Sequence, residues 1–163
     1  MRAFPGLALA MLAAMLAAGC GSGGGDPPAT STARPTSVTT LDHPRLGRIL
    51  VDSAGRTLYF ADQERDGTIE CVDECLGFWF PVTPAEPAAP VVPGVRGLAL
   101  VHRNDTGRDQ LSFQGRPLYS FGLDDKRGDV TGDNLSDTFD GTFFTWHAAR
   151  VADTTAEAPA IGY

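Results

Sequence analysis

Between residues 41 and 152 apolar and polar side chains alternate in short runs broken by Gly, Asn and Asp. No stretch of that region sustains the 3.6-residue apolar period of an amphipathic helix. Arg48-Ile49-Leu50-Val51-Asp52, then Ser53-Ala54-Gly55, then Arg56-Thr57-Leu58-Tyr59-Phe60 reads as strand, turn, strand. The scheme returns in Leu98–His102, the turn residues Asn104-Asp105-Thr106-Gly107, and Gln110–Phe113. Gln114-Gly115 turns the chain again into Arg116–Phe121, and Phe143, Phe144 and Trp146 predict a final aromatic strand. The expected fold class is mainly β, a small antiparallel β domain with little helix.

Two segments of this region repeat an order of parts. Gly55-Arg56-Thr57-Leu58-Tyr59-Phe60, an acidic stretch and Gly77-Phe78-Trp79-Phe80 form the first. Gly115-Arg116-Pro117-Leu118-Tyr119-Ser120-Phe121, an acidic stretch and Gly141-Thr142-Phe143-Phe144-Thr145-Trp146 form the second. Each is a hairpin strand, a charged loop and an aromatic strand, which predicts duplicated repeats at about 46–83 and 96–149. Pro81, Pro84, Pro87, Pro90 and Pro93 recur every third residue between them. Polyproline II has three residues per turn, so the 81–93 segment reads as a stiff connector, with an SH3-type ligand as the alternative.

The ends of the chain have a different composition. Arg2 precedes a run from Ala3 to Gly19 without a charged side chain, and a Gly/Ser-rich stretch follows. That run is shorter than the ~20 apolar residues a spanning helix needs, and reads as an export leader over 1–19. Its end, Leu16-Ala17-Ala18-Gly19-Cys20, resembles the bacterial lipobox. The resemblance implies a diacylglyceryl or palmitate-type anchor on Cys20; an ordinary cleaved secretory signal is the alternative. Two or more acyl chains hold a protein at a bilayer without a transmembrane helix. Residues 20–40 read as the lipidated cysteine and a flexible Gly/Ser/Pro/Thr linker, and 153–163 as a loose tail. One β-rich domain is left at 41–152.

Charge and chemistry narrow the function. The formal charge is −7, which argues against phosphate-driven nucleic-acid binding. With Cys20 committed to lipid, Cys71 and Cys75 form an even pair for an oxidising compartment. A structural disulfide is the first reading of that pair, and a redox-active dithiol or a metal site the others. Acidic residues gather at 62–74 and at 124–140. In the second cluster Asp124, Asp125, Asp129 and Asp133 alternate with Gly and Asn, the way a loop supplies oxygen ligands to calcium. Solvated loops without metal are the first reading of both clusters, and a cation site on these four residues is the alternative. No Gly-x-Ser-x-Gly elbow, His-Glu-x-x-His pair or phosphate-cradling Gly loop occurs, so no catalytic residue is assigned and no cofactor is required.

The repeated parts also carry a family resemblance. Tyr119, Phe121 and Asp124 fit Tyr-x-(Phe/Trp/Tyr)-x-x-Asp, and the chain resembles the bacterial secreted-repeat lipoproteins that bear this motif. After Tyr59, Ala61 and Glu64 stand in the aromatic and acidic places. The resemblance implies a protein of the cell envelope, lipid-anchored on the extracytoplasmic face, with no assigned reaction. The expected function is a non-enzymatic binding or structural module. Its partners would be the membrane, through the lipid, and an envelope protein or ligand. A cation-binding protein and a redox carrier are the alternatives. The aromatics Tyr59, Trp79, Tyr119, Phe121 and Trp146 are expected mostly in the core.

Overall fold

β-Branched and aromatic residues at alternate positions build ten strands. They are β1 (Val38–His43), β2 (Gly47–Asp52), β3 (Leu58–Ala61), β4 (Trp79–Pro81), β5 (Leu98–Arg103), β6 (Arg108–Phe113), β7 (Arg116–Pro117), β8 (Tyr119–Phe121), β9 (Ser136–Phe139) and β10 (Thr142–Ala148). Among the described residues, helix is limited to two 3-10 turns, Asp62–Glu64 and Asp73–Gly77. The computed structural model describes residues 36–152. The expected leader 1–19, Cys20, the linker to residue 35 and the tail 153–163 lie outside the described residues.

All three sheets are small and antiparallel: β1-β2, β5-β6-β7, and a five-stranded sheet ordered β4-β8-β3-β10-β9. The five-stranded sheet is built by exchange between the two segments. β3 pairs β8, with Tyr59 opposite Tyr119; β4 pairs β8, with Trp79 opposite Phe121; β10 pairs β3, with Trp146 opposite Ala61. Each aromatic strand therefore docks on the hairpin strand of the other segment. The flanking hydrogen bonds match as well. Val82 N–H donates to Leu118 O and Ala149 N–H to Leu58 O, while Leu111 N–H donates to Val82 O and Leu50 N–H to Ala149 O.

Two cores follow from the two faces of this sheet. One holds Leu50, Leu58, Val82, Leu111, Phe113 and Leu118 with their neighbours. The other is aromatic: Tyr59, Trp79, Tyr119, Phe121, Phe144 and Trp146 are buried there. β4 and β10 are three strand spacings apart, about 14 Å in a flat sheet. Trp79 and Trp146 nevertheless stack with ring centroids 3.8 Å apart, so the sheet curls around these rings.

Three boundaries differ from expectation. β1 begins at Val38, inside the stretch read as linker, and Val38 is buried. Val-Thr-Thr-Leu is a β-branched run that pairs with β2 in register, and its polar flank hid it. β9 lies inside the acidic loop 124–140 and pairs with β10, with Asp137 opposite Phe144. The Pro-rich 81–93 segment is not one straight rod: it bends at 85–88, and buried Val82 and Val92 fix its ends to the core.

Candidate functional site

The polar residues that the motif comparison singles out meet in the aromatic core. Tyr59 and Tyr119 are Cα partners on β3 and β8, and their side chains share a face with Phe121 because strand side chains alternate. Tyr59 Oη donates to Asp124 Oδ2 at 2.6 Å, and Tyr119 Oη donates to Glu64 Oε1 at 2.9 Å. Each tyrosine thus reaches the carboxylate that follows the other tyrosine. Both carboxylates also close their own loops. Asp124 Oδ1 accepts the Thr131 N–H at 3.1 Å and the Thr131 hydroxyl. Glu64 Oε1 accepts the N–H groups of Glu70 and Cys71, both at 2.8 Å. Glu64, the residue that departs from the motif, does in its segment what Asp124 does in the other. Its extra methylene leaves the role intact because the partner hydroxyl and two N–H groups converge on one oxygen.

Burial sets the electrostatics. Desolvation, then the hydrogen bond to Asp124, pushes the Tyr59 hydroxyl far above its ordinary value, and burial with the Glu64 charge does the same to Tyr119. Burial raises Glu64 itself against the N–H groups of Cys71 and Glu70 that favour its charge. Arg103, 1% exposed, closes the Tyr119 side. It donates to Gln110 Oε1 at 2.8 Å, Cys71 O at 2.8 Å and Asp105 Oδ2 at 2.7 Å. Burial works against the Arg103 charge, yet Asp105 and Tyr119 outweigh it and hold the guanidinium protonated. Burial and the neighbouring carboxylates thus favour the neutral form of both phenols.

Phe121 is buried and stacks on Trp79 at 4.3 Å, as Phe144 stacks on Trp146 at 5.5 Å. Ala61, in the place corresponding to Phe121, is fully buried. Gly132 belongs to the same packing: a Cβ there would lie 2.7 Å from Trp79 and 3.1 Å from Tyr59, so no larger residue fits. Cys71 and Cys75 form a disulfide with Cα atoms 5.4 Å apart, buried beside this cluster. The Cys71 amide is held by Glu64 and its carbonyl by Arg103.

Three of the four carboxylates of the alternative cation site are engaged separately. Asp124 is spent on Tyr59 and Thr131. Asp129 Oδ2 accepts the N–H groups of Asp125 and Lys126. Asp133 accepts the Ala148 N–H and the side chains of Asn134 and Arg150, and Asp125 is exposed. Each carboxylate stitches a different part of the loop, and among the described residues no three His, Cys, Asp or Glu side chains come together as a metal cage. The histidines are dispersed: His43 Nδ1 faces the Arg45 and Leu46 N–H groups of the first hairpin turn, His102 pairs with Asp109, and His147 with Asp62. Sequence reasoning missed Arg103 and Gln110, since a polar residue on a strand reads as solvent-facing. The alternation Leu111-Ser112-Phe113 places Gln110 on the face opposite Leu111, so nothing local marked either residue as buried.

Residues 40–83 match the model of a family described as a secreted repeat of unknown function. No curated protein and no solved structure matches the chain. The matched stretch contains Tyr59, Ala61, Glu64 and both cysteines of the disulfide, and it ends just past β4. Such a repeat fits an extracytoplasmic protein of unassigned role.

Proposed function

We propose that the chain is a lipid-tethered extracytoplasmic module of two interlocked secreted repeats that acts by binding or by structure and not by catalysis. The reciprocal pair Tyr59–Asp124 and Tyr119–Glu64 carries this reading. The motif residues with reactive chemistry are buried and consumed in holding the two segments together, which leaves function to the surface. The same exchange supports duplication, because equal positions occupy equal places across β3 and β8. Cys20, at the end of an export leader, supplies the tether.

The test uses the full chain expressed with labelled palmitate, a Cys20→Ser variant, and a Tyr59→Phe/Tyr119→Phe variant. The wild type should carry label and sediment with membranes; Cys20→Ser should do neither. The double variant should still be labelled and sediment, yet be less stable by about 1–3 kcal/mol at Asp124 Oδ2, which loses its donor, and by less at Glu64 Oε1, which keeps two N–H groups. Membrane partitioning of processed Cys20→Ser would defeat the tether, and a double variant as stable as wild type would defeat the lock.

A further inference from the structure

A cleft of about 420 Å³ lies on the face of the five-stranded sheet opposite the aromatic core. Phe60 on β3 and His147 on β10, Cα partners, form one wall with Asp62 and Arg150, and the β6–β7 turn brings Gln114 and Arg116 to the other. Two arginines converge here in a chain whose net charge is −7. The Arg116 guanidinium carbon sits 4.3 Å from the Phe60 ring centroid, and among the described residues Arg116 makes no ion pair. Arg150 reaches Asp133 with one nitrogen at 3.3 Å and keeps its remaining donors. His147 Nε2 lies 3.1 Å from Asp62 Oδ2, which orients the imidazole, and Arg65 faces the other Asp62 oxygen at 3.5 Å. Gln114 and Gly115 have φ 53° and 80°, the positive pair that the two-residue turn between β6 and β7 requires, and this turn places Gln114 at the rim of the cleft.

We propose that this cleft binds an acidic sugar, with its carboxylate against Arg116 and Arg150 and its hydroxyls toward Gln114, His147 and Asp62. Guanidinium groups match a carboxylate in charge and in planar geometry. Apolar ligands occupy pockets with mainly apolar walls, and here polar side chains dominate. A bare phosphate would use the cations but meet an acceptor-only carboxylate at Asp62, whereas a hydroxyl donates to it. This names a ligand class for the binding reading above and does not depend on the tether, so failure here leaves the Cys20→Ser result standing.

The experiment is a nuclear magnetic resonance titration of the full chain with glucuronate, glucose, acetate and inorganic phosphate, following the Arg116 Nε–H and the His147 imidazole. Glucuronate should give saturable shifts at these groups, and the other three should not saturate over the same range. Arg116→Ala should weaken glucuronate binding about tenfold or more, the loss of one charge-assisted contact. Gln114→Gly should weaken it severalfold without lowering the melting temperature, because glycine adopts this φ freely. No saturation by glucuronate, equal binding of acetate, glucose or phosphate, or wild-type affinity in either variant would overturn the proposal.

Discussion

Glu64 is fully buried, with Oε1 accepting three hydrogen bonds and Oε2 having no partner among the described residues. Burial raises its pKa from the ordinary 4.5, so the folded chain holds this proton at pH values where the unfolded chain has lost it. Its contribution to stability is therefore complete below the usual carboxylate range and is lost as pH rises through the folded value. Glu64→Gln keeps an acceptor at Oε1 and removes the titration. Melting curves across pH should show the variant gaining on wild type as pH rises from about 4.5 upward; a difference that stays constant with pH would contradict the assignment. Phe121 is 6% exposed and stacked on Trp79, so Phe121→Ala should cost about 3–5 kcal/mol by denaturant unfolding. A variant that melts like wild type would make that ring dispensable to the core. The aromatics were legible as core because Tyr119 and Phe121 share a strand face. The partner of each acid was not, because a tyrosine–carboxylate contact 55 or 65 residues apart leaves no local pattern.

Strand exchange is the organising fact among the elements. Hairpins with Gly-containing turns were readable, since Gln114-Gly115 and its like announce tight reversal between alternating runs. β1 and β9 were not, as their exposed residues are Thr39 and Asp42 in one and Ser136 and Thr138 in the other, and their inward apolar ones are few. Pairing across segments was also unreadable, because alternation fixes which face a residue takes but not which strand lies beside it. At the 3-10 turn Asp73–Gly77 the disulfide joins cysteines four positions apart, a loop short enough that its entropic contribution is near the low end, about 2 kcal/mol. The Cys71 backbone keeps its bonds to Glu64 and Arg103 without the bridge. A Cys71→Ser/Cys75→Ser variant should thus fold with the same spectrum and a modestly lower denaturant midpoint. Failure to fold would show that the bridge, and not the Glu64–Arg103 clamp, sets this loop.

At the scale of the molecule, the two segments share one sheet and neither completes a core by itself. β4 has only β8 as a neighbour, and β3 lies between β8 and β10, so a chain ending after the first segment keeps β3 and β4 without a single strand partner for either in the five-stranded sheet. Tyr59 would lose Asp124, and Glu64 would lose Tyr119 and Arg103. The most direct test of interlocking is therefore thermal unfolding of a fragment covering residues 31–95, followed by circular dichroism with its mass measured in solution. The fragment should show no cooperative transition as a monomer, while the full chain melts cooperatively. A monomeric fragment with a cooperative melt and native-like aromatic signal would mean that each segment folds alone, and would contradict the account.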